Sequence, residues 1–180
     1  MKKSKNKFRQ YVTNLVVSIL VLLILFVALY TNGLIGVPKH SIMQDARDSQ
    51  RLNNDWLVTQ TTTSNISALL FYDDLKAESA FSIYVNHRGI SFGYFFRGGG
   101  DLPGNGNEIL EYQIEGYDES AYVSMNKSLI SKVEIDNGNV VKTIDIDNTQ
   151  PFTLVLSKGN GAITFFDISG NKVIPVKIIL

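Results

Sequence analysis

The chain contains no cysteine. That excludes disulfides, a lipid-modified cysteine anchor, a cysteine nucleophile and the thiolate ligands of a structural zinc site. Histidine is nearly missing as well, with His40 and His87 the two in 180 residues. Two imidazoles are too few for a zinc site, and they leave a histidine base only two places to come from. The remaining shortage is local: no charged residue occurs from Gln10 to Val37, and no acidic residue precedes Gln10.

What fills the uncharged stretch is apolar. "LVVSILVLLILFVALY", Leu15–Tyr30, has Ser18 as its one clearly polar side chain, and the whole uncharged stretch, from Gln10 to Val37, exceeds the ~20 residues a helix needs to cross a bilayer core. A cleaved signal peptide has an apolar stretch of ~7–15 residues and a small-x-small exit. Here the exit is "VALYTNG", where bulky Leu29 and Tyr30 follow Ala28. The expectation is an uncleaved transmembrane anchor over 12–37. Nothing else in the chain looks able to surround a helix apolar on all sides.

Lys2, Lys3, Lys5, Lys7 and Arg9 precede the anchor. Positive flanks stay in the cytoplasm, so residues 1–11 form a cytoplasmic tail and the C-terminal part lies outside. Removing those five leaves twelve basic against seventeen acidic residues, an acidic remainder that argues against nucleic acid as a partner. An exported domain without disulfides fits a bacterial cell envelope. Membrane contact runs through the N-terminal helix.

Residues 38–65 read as a juxtamembrane linker. Ile42, Ala46, Ser49, Leu52 and Trp56 fall at helical spacing, which suggests a short helix, and "TQTTTSN" leads toward a strand. From Ile66 the period becomes two. Phe81, Ile83 and Val85 alternate with Ser82, Tyr84 and Asn86. Ile90, Phe92, Tyr94 and Phe96 oppose Ser91, Gly93, Phe95 and Arg97. Leu110, Tyr112 and Ile114, then Ala121, Val123 and Met125, then Leu129, Ser131, Val133 and Ile135 continue the pattern. Asn137-Gly138 sits between two alternating runs as a tight hairpin turn, and "DISGN", Asp167–Asn171, repeats that chemistry. About eight to ten strands at this spacing predict an all-β ectodomain over 66–180, an antiparallel β-sandwich, immunoglobulin-like, or a small barrel. The closing "FFDISGNKV" resembles the last hairpin of bacterial immunoglobulin-like surface domains, over too short a stretch to name a family.

The glycine-rich "FFRGGGDLPGNGNE", Phe95–Glu108, invites a phosphate-binding reading. It has no lysine after its last glycine, and alternation behind it predicts a strand where a phosphate loop opens a helix. It reads as a strand end followed by a long connection rich in turn residues. His87 belongs to a hairpin turn beside Arg88, and Ser169-Gly-Asn-Lys172 matches S-x-x-K without the helix that motif requires. Asp73-Asp74 and Asp145-Ile-Asp147-Asn148 offer oxygen ligands, yet neither fits a calcium loop, and acidic solvated turns are the expectation. Glu108, Glu111 and Glu115 read as the wet face of a strand. No catalytic residue, metal or cofactor is expected. Tyr84, Phe95, Arg97 and Asp101 form the candidate binding surface, because aromatics on polar strand faces can dock a partner.

These observations favour a non-catalytic binding or assembly module that contacts another envelope protein or a cell-wall polymer. Alternatives are a membrane-tethered envelope enzyme with a carboxylate site and a minor subunit of a secretion or pilus-like apparatus. The pilin alternative lacks an early glutamate and a small-residue processing site.

Overall fold

The computed structural model describes residues 2–87, 91–103 and 107–180, with the backbone alone described for residues 2–9. Helix α1 runs Lys2–Thr31. The most apolar window of its segment Gln10–Thr31 has a mean hydropathy of 2.9, and none of that window is buried by the protein. The helix ends because Gly33 takes a left-handed turn, φ 65°, and the Leu34 N–H closes back on the Leu29 carbonyl at 2.9 Å. The expected span to Val37 is thus helical only as far as Thr31.

The rest is mostly β-sheet, with twelve strands in three four-stranded sheets among the described residues. The first sheet holds β1 (Leu57–Thr62), β2 (Ile66–Tyr72), β3 (Ser79–Asn86) and β4 (Tyr94–Asp101) as a simple antiparallel meander. β5 (Leu110–Gln113), β6 (Glu119–Ser124), β9 (Phe152–Ser157) and β12 (Val176–Ile179) build the second, in the order β12-β5-β6-β9. The third joins β7 (Ile130–Asp136), β8 (Val141–Asp145), β10 (Ala162–Asp167) and β11 (Lys172–Val173) in the order β11-β10-β7-β8. β12 lies parallel to β5, so the sheets are not wholly antiparallel.

The cores stack these sheets. Ile66, Ala68, Leu70, Phe81, Ile83 and Val85 of the first sheet pack on Leu110, Tyr112, Ala121 and Val123 of the second. The opposite face of the second sheet sends Tyr122, Phe152 and Leu156 against Ile130, Val133, Ile135 and Phe165 of the third. The second sheet is therefore a middle layer. β6 shows the consequence: Ser120 through Ser124 are all buried. A strand covered on both sides has no wet face, and small Ser120, Ala121 and Ser124 flank Tyr122 and Val123.

Helix α2 (Ile42–Gln50) covers the outer face of the first sheet. Ile42 and Ala46, one turn apart, pack on Leu69, Phe71, Tyr84 and Tyr94. β1 also lies within the segment expected to be linker, where it pairs with β2 along its whole length. Both hairpin turns fall where anticipated, but at the first only Gly138 takes a positive φ, 85°, and Asn137 acts through its side chain instead. The Asn137 side-chain oxygen accepts the Asn139 and Val140 N–H groups at 2.9 and 2.8 Å. The Asp167 carboxylate accepts those of Ser169 and Asn171, both at 2.8 Å.

The glycine run departs from expectation. β4 continues through Gly98, Gly99 and Gly100 to Asp101 instead of opening into a loop. A methyl group on Gly99 would come within 2.7 Å of the Phe81 carbonyl oxygen and 3.0 Å of the Phe96 ring. Close approach of neighbouring backbone and side chains, and not loop freedom, accounts for the glycine there. Gly104, Asn105 and Gly106 lie outside the described residues, as do Arg88, Gly89 and Ile90. Leu129, expected on a buried face, is exposed with φ 54°, and Ile130 takes the buried position.

Candidate functional site

Where the chain leaves α1, Leu34–Val37 pair with Phe92–Tyr94. Four backbone hydrogen bonds join them: Gly36 N–H to Phe92 O, Val37 N–H to Tyr94 O, Phe92 N–H to Leu34 O, and Tyr94 N–H to Val37 O. Gly93 has φ 91°, and a methyl group there would meet the Val37 carbonyl oxygen at 2.7 Å. One on Gly36 would meet the Tyr94 carbonyl at 2.6 Å and the Phe95 ring at 3.0 Å. The segment that leaves α1 is thus joined to this end of the domain by backbone contact that side chains would obstruct.

Phe95, half-buried, lies against this neck and stacks on His87 with ring centroids 4.2 Å apart and planes 13° from parallel. Arg97 sits where the β3–β4 register slips, between the Ile83–Gly98 and Tyr84–Phe96 pairs. That bulge turns it toward a cleft of about 290 Å³, shared with His87, Ile114, Glu115 and Tyr117. Asp101 is exposed at the far end of β4, about 13 Å along the strand from Arg97. Phe95 and Arg97 therefore meet at one end of the first sheet, and Asp101 does not join them.

Tyr84 does not belong to a binding surface. It is fully buried beneath α2, edge-on to Phe96, and its hydroxyl donates to Asp45 Oδ2 at 2.6 Å. Alternation placed it correctly on the face opposite Val85, but that face is covered. Burial first, and then the bond to Asp45, raise its phenol well above the usual range. Beside it, Arg47 is buried with its guanidinium donating to the Asn53 and Trp56 carbonyls at 2.8 and 2.6 Å and lying 5.1 Å from the Phe71 ring centroid.

A second cleft, of about 450 Å³, opens where the third sheet stops short of β5 and β12. Glu111 lines it and is only 7% exposed, so the reading of a wet acidic strand fails at this residue. Its Oε1 accepts Gln113 Nε2 at 2.6 Å and Ser120 Oγ at 3.2 Å. Burial, the charge of Glu111 and a hydrogen bond to it hold the Tyr122 phenol protonated above its usual range. Lys158 and Lys177 line the same cleft. No sequence rule marked Glu111, because its burial depends on a sheet formed from residues 130–173.

The acids considered for calcium serve turns. Asp73 accepts the Ala77 and Glu78 N–H groups at 2.7 and 2.9 Å, and Asp147 accepts the Thr149 N–H and hydroxyl at 2.9 and 2.7 Å. These donors, the Glu78 N–H foremost for Asp73 and the Thr149 hydroxyl for Asp147, hold both carboxyls below their ordinary range. No cluster of three or more potential metal ligands occurs among the described residues.

No family model, curated protein or solved structure matches this chain. Its functional reading therefore rests on its own geometry.

Proposed function

We propose that the protein is a single-pass, N-in/C-out membrane protein of a bacterial cell envelope. It displays a layered, mostly antiparallel β-sandwich that binds a ligand or assembly partner without turnover. The observation that carries this reading is the uncovered helix: Gln10–Thr31 is apolar on every side, no part of the domain packs on it, and a bilayer supplies the missing cover. The basic tail supports the orientation. The neck supports display, since four backbone hydrogen bonds and the Gly36–Gly93 approach hold the domain at a set attitude to the helix end. Sandwich packing is supported by the shared core of the first and second sheets. Two clefts opening along the β4–β5–β12 flank provide places for a ligand.

A tethered enzyme draws its support from one observation, that His87 and Glu115 line the smaller cleft together. The face-to-face stack of His87 on Phe95 favours a positioning role for the ring over proton transfer.

Because the chain lacks cysteine, a single introduced thiol reports its own location. In intact cells, Lys172→Cys is expected to react with a membrane-impermeant maleimide, and Lys5→Cys only after permeabilisation. The reverse pattern, or protection of both, defeats the proposed topology.

A further inference from the structure

Glu111 is a buried carboxylate in an open cleft, and its partners are neutral. Gln113 and Ser120 both donate to its Oε1. A carboxylate has about four acceptor positions, so acceptor capacity remains for the cleft. Among the described residues neither lysine of the cleft forms an ion pair with it, although Lys177 is its in-register neighbour on β12. Lys158 instead reaches the Tyr117 carbonyl at 3.3 Å. Removing a carboxylate from water without a counter-charge is costly, and such sites are commonly completed by a cation.

The cleft thus presents both signs within a short distance. Adjacent strands lie about 4.8 Å apart, which sets the spacing between the Glu111 and Lys177 backbones and matches the scale of an ammonium next to a carboxylate. Ile163 and Ile174 supply apolar wall. The volume, about 450 Å³, lies within the range of small-molecule sites and exceeds what a charged head alone would fill.

We propose that this cleft binds a free α-amino acid with an aliphatic side chain, its ammonium on Glu111, its carboxylate between Lys158 and Lys177, and its side chain against Ile163 and Ile174. The proposal deepens the binding-module reading and rests on it only in assigning a ligand. It does not depend on topology, so the thiol-labelling result and the binding result stand or fall separately.

The test uses full-length protein in detergent micelles and calorimetric titration with L-leucine, N-acetyl-leucine and leucine amide. Leucine is expected to bind. The acetylated form, without its cation, and the amide, without its anion, should each bind at least ~10-fold more weakly, a difference of ~1.4 kcal/mol. Glu111→Gln should remove leucine binding. Lys177→Ala, at an exposed position where folding is not at risk, should weaken leucine while leaving the amide unchanged. Equal binding of leucine and its acetylated form, an unaltered affinity in Lys177→Ala, or no heat with any of the three compounds overturns the proposal.

Discussion

The outer face of the first sheet and the face of the second sheet turned toward the third carry similar side chains: serines, a tyrosine, and a polar partner within reach. On the first, α2 lies across Ser82 and Tyr84, and each polar tip has a dedicated partner. Gln50 donates to the Phe81 carbonyl at 2.8 Å and to Ser82 Oγ, Tyr84 donates to Asp45, and Arg47 holds two carbonyls. On the second, the third sheet lies over Tyr122 but stops before β12, leaving Glu111 buried yet facing a cleft. Complete cover makes polar groups structural, because every donor and acceptor is spent inside the protein. Partial cover leaves acceptor capacity turned toward solvent, and that is where a ligand can be received.

The comparison breaks first at Arg47. Its removal orphans the Asn53 and Trp56 carbonyls and deletes the contact with Phe71. Each lost hydrogen bond from a charged donor is worth about 1.5–3 kcal/mol, so Arg47→Ala is expected to cost roughly 3–5 kcal/mol. Urea unfolding of the full chain in micelles, read by fluorescence of Trp56 beneath α2, measures it. A loss under ~1 kcal/mol would mean that α2 is a loose flap and the first face is not sealed.

Alternation alone made much of the buried face legible. Phe81, Ile83 and Val85, Leu110 and Tyr112, and Ala121 and Val123 all enter the core shared by the first two sheets, as period two demands. The hairpin turns at Asn137 and Asp167 were legible for an equally local reason, since a side chain that accepts N–H groups two to four residues on needs nothing distant. Alternation identifies two faces but does not say what covers the second. For Tyr84 the cover is α2, some forty residues earlier; for Glu111 it is a sheet that begins at Ile130. Gly98–Gly100 misled for the same reason. Glycine reads as loop from its neighbours in sequence, while Gly98 and Gly99 are held to glycine in β4 by Leu180, Phe81 and Phe96, which approach them in space.

Tyr84→Phe is the next smaller break. It deletes one hydroxyl bonded to a carboxylate and leaves Asp45 without that donor, for an expected cost of about 1.5–3 kcal/mol at neutral pH. The sign with pH follows from the raised phenol. A group that holds its proton more tightly when folded contributes its full share below the unfolded value of 10.0, and that share falls as pH rises past it. The difference in stability between wild type and Tyr84→Phe should therefore be constant up to about pH 9 and shrink above pH 10. A difference that stays constant well above pH 10 would show that Tyr84 ionises as freely folded as unfolded and is not sealed.

The smallest expected effect sharpens the comparison most. Glu111→Gln keeps shape and an acceptor for Gln113 and Ser120, and removes a buried charge that no cation offsets within the described residues. The weaker neutral hydrogen bonds and the relief of desolvation oppose each other, so the net change is expected to stay within ~1 kcal/mol, measured by the same urea unfolding. A group kept for the fold resists removal, as Arg47 should. A group kept for a ligand can be neutralised with little effect on folding while the cleft loses its counter-charge. If Glu111→Gln costs as much as Arg47→Ala, the two faces are alike and the acid of the cleft is part of the scaffold. If it costs little, the carboxylate is maintained against its desolvation for what it meets from outside.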